Sequence, residues 1–360
     1  MTLPKTMKAM VTTGHGGLDM LTFHTDWPRP DAGPGQVLIQ VGACGLNNTD
    51  INTRIGWYSK AVTGATTTDA AQTADGDDPS WGGKPITFPR VQGADVCGRI
   101  VAVGAGVDPA RIGERVIGDC WLRDPADLND KRRTGYFGSE CDGGFAEYTV
   151  MPARNALAIS SDLSDAELAT FSCSYSTAEG MLTRAAVTSA DTVLVPGASG
   201  GVGGALVQLA KRRGARVIAL ASEAKHADVT ALGADLVLPR APANLRAALS
   251  GEDITVLADV VGGPAFADLL DLLERGGRYT CSGAIAGPMV SLDLRTLYLR
   301  DLTFTGSTVI DLSVMPALVR YIEAGAIQPV LAATYPLDQL AQAQEAFAAK
   351  RHTGNIVVIP

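Results

Sequence analysis

Residues 193–222, VLVPGASGGVGGALVQLAKRRGARVIALAS, constrain this chain more than any other segment. An apolar run enters a glycine-rich turn, the turn opens directly into a helix-patterned stretch, and a second apolar run follows. Parallel strands need a crossover of this kind, so the segment predicts a βαβ unit inside a buried parallel sheet. Ala198, Gly200 and Gly203 fall on the small positions of an A-x-G-x-x-G variant of the dinucleotide fingerprint. Ala198 permits the tight turn, Gly200 lets the backbone approach a pyrophosphate, and Gly203 lets the helix lie against the sheet. Gly200, Gly201, Val202 and Gly203 then offer backbone N–H groups at the positive end of a helix, the expected pyrophosphate site. The second apolar run ends in Ala221 and Ser222, where a site for a plain ribose usually carries an acid. That leaves room for a 2′-phosphate, with Ser222 as hydrogen-bond donor and Lys225 neutralising charge. NADPH is therefore expected over NADH, with nearby Glu223 keeping the plain ribose as the alternative.

The rest of the chain divides around this unit. From about residue 160, helical stretches alternate with the apolar runs DTVLV, RVIAL, DLVL, ITVLADVV and GRYTCSG. Continuous apolar runs are what strands buried on both faces look like, so these predict a doubly wound parallel sheet and an α/β fold. One helix is expected over 164–186. The first 150 residues read instead as short strands between Gly and Pro, among them MKAMVTT, GQVLIQVGAC, GRIVAVG, GERVIG and FAEYTVMP. Two polar stretches, 59–90 and 121–140, are too long for ordinary connections and are expected as loops near the site or as plain surface insertions. The last fifty residues hold two helical patterns and a final strand, GNIVVIP, which can rejoin the first half.

With 30 Lys and Arg against 38 Asp and Glu, the net charge of −8 gives no overall attraction to nucleic acid or anionic lipid. The six cysteines lack the short paired spacings of zinc knuckles or secreted disulfide frameworks, which suits a reducing cytoplasm. No window reaches about 18 unbroken apolar residues, and MTLPKTMKAMVTT lacks the apolar core of a signal peptide. The expected partner is a small molecule.

The segments GACGLNNTD with RIGWY, GADVCGRIVAVG, GERV, GGFAEYTV, CSYSTAEGML, and GASGGVG with LGAD together make the chain resemble the medium-chain dehydrogenase/reductase superfamily. Within it, the likeness is to the zinc-free quinone oxidoreductase branch. The resemblance implies a GroES-like, β-rich catalytic domain over 1–155 and 309–360, and a Rossmann domain over 156–308. It also implies an active site between them, and commonly a homodimer. Where zinc-dependent members carry three catalytic ligands, this chain has Asn47, Ala94 and Cys173, so no zinc is expected. The resemblance makes Asn47 the group that polarises a substrate carbonyl and Tyr58 the hydrogen-bond or proton donor. A second active-site tyrosine of the family falls on Asn52. Asp50 and Arg54 also match the pattern and are expected as a structural ion pair. By family position, Asp259–Gly263 and Gly283 approach the nicotinamide half. The expected activity is NADPH-dependent, metal-independent hydride transfer to a quinone or an α,β-unsaturated carbonyl. A zinc alcohol dehydrogenase and a non-catalytic NADPH-binding protein are the alternatives.

Overall fold

The computed structural model describes residues 3–66 and 85–360, so part of the 59–90 stretch lies outside the described residues. Six strands form one wholly parallel sheet in the order Leu236–Pro239, Arg216–Ala221, Thr192–Pro196, Ile254–Asp259, Leu273–Cys281, Thr303–Gly306. Numbered along the chain this order is 3-2-1-4-5-6, and it reverses between Thr192–Pro196 and Ile254–Asp259. Ligand crevices of doubly wound sheets open at that reversal, at the carboxyl ends of the strands. Strand residues alternate between two apolar layers. Val193, Val195, Val217 and Ala219 pack into one, and Leu194, Ile218, Leu220 and Leu257 into the other. Both faces are thus covered, which is why these strands read as unbroken apolar runs.

The five expected parallel strands are present, and Thr303–Gly306 is a sixth that the sequence reading lacked. The helix expected over 164–186 is broken into Asp165–Leu168 and Ser172–Arg184. Thr170 turns its hydroxyl back to the Glu167 carbonyl (2.7 Å), and the second helix is capped from outside by Asp95, whose Oδ1 accepts from the Cys173 N–H at 2.8 Å.

The strand-rich half is a seven-stranded sheet. Gln36–Leu46 is central, flanked by Asp95–Val103 and by Asn355–Ile359 from the far end of the chain, all antiparallel to it. A smaller sheet is built on Thr6–Thr12. The chain end therefore does return to the first half. The 121–140 stretch is not irregular throughout, since Trp121–Arg123 pairs with Thr134–Tyr136. Trp121 and Tyr136 meet edge to face at 5.1 Å. Arg123 ties this hairpin to the segment that follows the sixth parallel strand, donating to the Ile310 carbonyl at 2.7 Å.

The returning segment also touches the glycine turn. The Gly354 N–H donates to the Ser199 carbonyl (2.9 Å), and Ser174 Oγ donates to Asn355 Oδ1 (3.1 Å).

Candidate active site

The glycine turn lies at the sheet reversal. Gly197 adopts a left-handed conformation (φ 67°), and Ala198 is fully buried, its N–H donating to the Leu220 carbonyl at 3.2 Å. Gly200 is the residue before the helix Gly201–Arg212, and no side chain caps that end. The first α-helical bond runs from the Gly204 N–H to the Gly200 carbonyl (2.8 Å). The N–H groups of Gly201, Val202 and Gly203 therefore precede the helix's own bonding and point out of its end. Gly200 is exposed, and a Cβ there would meet only the Gly197 carbonyl oxygen at 3.6 Å. Gly201 faces the returning segment through the bridge between Gly200 and Gly354, so the N–H groups of Val202 and Gly203 beside an open glycine are what the helix end offers a pyrophosphate, and the turn fits a dinucleotide.

Two further loops meet at this crevice. Asp259, fully buried, accepts from the N–H groups of Val261 (2.7 Å) and Gly262 (3.1 Å) and from the Tyr279 hydroxyl (3.1 Å). Its loop is stitched to the next one by Ala286 N–H to the Val261 carbonyl (2.9 Å). Gly283, at φ 144°, sits between them over Val260. Thr66 donates its N–H to the Ile285 carbonyl (3.0 Å), so the described part of the 59–90 stretch reaches across to the same loops.

Ser222 stands half-buried at the end of Arg216–Ala221. Lys225 is placed differently from the exposed lysine that its position suggests. It is buried, and its ammonium donates to the carbonyls of Lys350 (2.7 Å) and His352 (2.5 Å). Two of its three donors hold the returning segment, which leaves one for a ligand. Burial, and then the neighbouring Arg240, lower its pKa. Arg240 is exposed just beyond Leu236–Pro239 and was not singled out from the sequence. Nothing in its local pattern marks it.

On the facing side, Asn47 precedes the helix Asn48–Ile55 and is buried. Its backbone N–H donates to Asp50 Oδ2 (2.7 Å), and its side-chain Nδ2 donates to Asp95 Oδ2 (3.0 Å). Past the helix, Tyr58 is half-buried, and its hydroxyl hydrogen-bonds the Asn52 side chain. Burial raises the Tyr58 hydroxyl well above the usual phenol range, with Cys173 and Asp50 adding to the rise. Opposite, the buried Tyr136 hydroxyl lies near the sulfurs of Cys173 and Cys120. Burial raises the Cys173 thiol strongly, so it stays protonated. Burial also lifts Asp50 to about 8, with Asp95 adding to it, and lifts Asp95 to about 7 against the lowering hydrogen bonds from Asn47 and the Cys173 N–H.

The fold thus brings Asn47 and Tyr58 together with Asp50, Asn52, Asp95, Tyr136 and Cys173. Asp95 and Tyr136 are the members whose part sequence reasoning missed. Asp95 carried one signal, its place beside Ala94, while Tyr136 lay in a polar stretch with none. Asp50 and Arg54 do not pair. Arg54 is fully buried and donates to Gln344 Oε1 (2.9 and 3.1 Å) and to the Gly16 carbonyl (2.6 Å), because its side chain leaves the helix on the face packed against Leu340–Ala348. Burial lowers its guanidinium to about 10. Among the described residues, no group of three or more His, Cys, Asp or Glu side chains could hold a metal ion. Among them, too, no helix is long and apolar enough to cross a membrane.

A 3-2-1-4-5-6 parallel sheet with an open glycine turn, facing a strand-rich half that holds a buried amide and tyrosine, defines a two-part oxidoreductase built around a nicotinamide dinucleotide. The family comparisons agree. Residues 33–161 match the alcohol dehydrogenase GroES-like domain, and residues 201–324 match the zinc-binding dehydrogenase domain. A crystal structure from Sinorhizobium meliloti 1021, assigned provisionally as an alcohol dehydrogenase, is 47% identical. That match covers 99% of this chain and 98% of the other, with a TM-score of 0.91. The acryloyl-coenzyme A reductase of Metallosphaera sedula is 29% identical over 98% of this chain and 99% of its own. An NADPH-dependent alkenal/one oxidoreductase of Arabidopsis thaliana chloroplasts is 28% identical, over 99% of this chain and 81% of its own. The chain belongs to the medium-chain dehydrogenase/reductase superfamily and is an oxidoreductase of that type.

Proposed function

We propose that this protein is an NADPH-dependent, metal-independent reductase that adds hydride to a quinone or to the β-carbon of an α,β-unsaturated carbonyl. The observation that carries the reading is the Asn47 amide, buried and anchored on Asp95 beside Tyr58, at the position where zinc-dependent relatives are expected to place a ligand. An amide at 47 and a methyl at Ala94 leave Cys173 as the one conventional donor of the three, which is too few for an open catalytic zinc site.

What the dinucleotide supplies when bound is the hydride. Gly200, Gly201, Val202 and Gly203 would hold its pyrophosphate. Ser222, the remaining Lys225 donor and Arg240 would meet a 2′-phosphate, and the Asp259–Gly263 and Gly283 loops would face the nicotinamide half. Asn47 has a second Nδ2 hydrogen to give a carbonyl oxygen as negative charge gathers on it. Tyr58, with its raised pKa, keeps its proton at neutral pH and serves as a donor that can also release that proton to the reduced substrate.

We further propose the division into 1–155 with 309–360 and 156–308, a cytoplasmic location, and a homodimer. The edge strand Thr303–Gly306 supports the dimer. So do the exposed Met289, Leu294, Tyr298 and Leu299 in the segment leading to it, because an open edge beside an apolar patch invites a second copy.

The test is a panel of quinones, enones, enals and acyl thioesters assayed with NADPH, with metal analysis of the same preparation. Turnover of at least one class by protein free of stoichiometric metal is expected. One zinc per chain, lost together with activity on chelation, overturns the reading in favour of an alcohol dehydrogenase. NADPH binding without turnover of any class overturns it in favour of a binding protein.

A further inference from the structure

We propose that Asp95 is a positioning residue that fixes which edge of the Asn47 amide faces the substrate. This inference rests on Asn47 acting as the carbonyl donor.

Both Asp95 oxygens are engaged as acceptors, Oδ1 by the Cys173 N–H at 2.8 Å and Oδ2 by Asn47 Nδ2 at 3.0 Å. The first contact is at the start of the thirteen-residue helix Ser172–Arg184, whose positive end favours an acceptor there. Asp95 is 1% exposed, and its strand is held on one side by Gln36–Leu46 and on the other by Arg115–Gly118, so the carboxylate has no room to turn away.

An amide that meets an ionised carboxylate oxygen must present its N–H side, because the carbonyl side would set oxygen against oxygen. The backbone of Asn47 is fixed as well, through its N–H to Asp50 Oδ2 at 2.7 Å. The Asn47 side chain therefore has one orientation. Nδ2 lies toward Asp95, one hydrogen is used there, and among the described residues nothing accepts the second. A substrate carbonyl approaching that edge meets a donor.

Asp95→Asn reverses this with almost no change of shape. The new side chain's Oδ1 can still accept from the Cys173 N–H, which turns its own NH₂ toward Asn47. The Asn47 amide must then flip to offer Oδ1, and an acceptor replaces the donor that the substrate oxygen needs.

The proposal is tested by a double-mutant cycle in the full-length enzyme, with kcat and KM measured for Asn47→Ala, Asp95→Asn and the double variant. Asn47→Ala is expected to lower kcat by about 10²-fold, the loss typical of one missing donor at a developing oxyanion, with KM little changed. Asp95→Asn is expected to lower kcat at least as far, at a melting temperature no lower than the parent's. The double variant is expected to be no slower than Asn47→Ala alone, because without an amide there is nothing left to misorient. Losses that multiply across the cycle overturn the proposal, since they mean that Asp95 acts independently of Asn47. If Asn47→Ala lowers kcat and Asp95→Asn does not, this inference fails while the proposed function stands. If Asn47→Ala leaves kcat intact, the proposed function fails with it.

Should Asp95→Asn not fold, the side-chain ¹⁵N resonance of Asn47 in the native protein decides, assigned by its absence in Asn47→Ala. One strongly hydrogen-bonded proton and one open proton are expected. Two equivalent, water-exposed protons overturn the proposal.

Discussion

Gly200 and Gly203 sit three residues apart in one turn, yet their substitution by alanine should fail in different ways. Gly200 has φ −80° and ψ 171°, extended backbone that any residue adopts, and an added Cβ would find only ordinary contact at 3.6 Å. Replacing glycine where the backbone already suits alanine gains roughly 0.4–1 kcal/mol from the unfolded state. Alanine is a poorer helix cap than glycine by a similar amount, so the two effects nearly cancel. Gly200→Ala should therefore move the melting temperature by no more than about 2–3 °C.

Its methyl group nevertheless stands on the exposed side of the turn, where the pyrophosphate must come close to the N–H groups of Val202 and Gly203. Forcing a carbon into a close contact costs roughly 1–3 kcal/mol, which is about 5- to 150-fold in affinity. NADPH and NADH should lose equally, because the pyrophosphate is common to both.

At Gly203 an added Cβ would lie 2.2 Å from the Gly197 carbonyl oxygen and 2.8 Å from Ala198 Cα, both backbone atoms. The turn itself must move, so Gly203→Ala should cost stability as well as binding, by about 1–3 kcal/mol or more. Thermal denaturation and fluorescence titration with each dinucleotide measure both quantities. If Gly200→Ala binds NADPH as tightly as the parent at an unchanged melting temperature, no pyrophosphate lies over this turn and the assignment of the crevice is wrong.

Lys225→Ala should lower both NADPH affinity and thermal stability, since the ammonium also clasps two carbonyls of the returning segment. Arg240→Ala should weaken NADPH relative to NADH with stability unchanged, and equal effects on the two cofactors in the Arg240 variant would remove it from the 2′-phosphate site. Asp50 and Asp95 bind protons more tightly folded, at about 8 and 7, than the roughly 4 of an unfolded carboxyl, so their contribution to stability is full below pH 4 and is lost as pH rises through 7 and 8. Calorimetry should show melting temperature falling over that range, at up to ~1.4 kcal/mol per pH unit for each group, and a less steep fall in Asp50→Asn; an unchanged slope in that variant refutes the assignment. Tyr298→Arg should shift sedimentation from dimer to monomer without loss of secondary structure, and an unaltered sedimentation coefficient would place the interface elsewhere.

Local rules sufficed wherever an element is long and uniformly apolar. The five runs expected as parallel strands are strands because burial on both faces admits little else, and the glycine turn is legible because its strand–turn–helix context is contiguous. Thr303–Gly306 escaped notice because a four-residue strand with Phe304 as its one large apolar side chain carries almost no pattern. The Trp121–Arg123 and Thr134–Tyr136 ladder is hidden by the acidic and basic residues of the connection between them. The same limit governs the site. Asn47 and Tyr58 flank one short helix and could be read together through the family resemblance. Asp95, Tyr136 and Cys173 come from three other elements, and only the packed structure shows the carboxylate beneath the amide.

Lys225 shows why the remainder could not be read. A lysine opening a helix looks solvated, and what buries it is a segment 125 residues further along the chain. That segment also changes the meaning of the glycine motif. An added Cβ at Gly201 would lie 2.3 Å from Asn355 Oδ1 and 2.5 Å from Ser174 Oγ, so this glycine answers to the two side chains that join the returning strand to the helix Ser172–Arg184. Gly203 is required by the turn folding back on itself, and Gly200 by nothing in the protein at all. A glycine that no side-chain packing demands, left exposed at a helix start at the mouth of a crevice, is explained by what must come near it. Three glycines of one turn thus answer to three different forces, and the one whose added Cβ would meet no close protein atom is the one that reports the ligand.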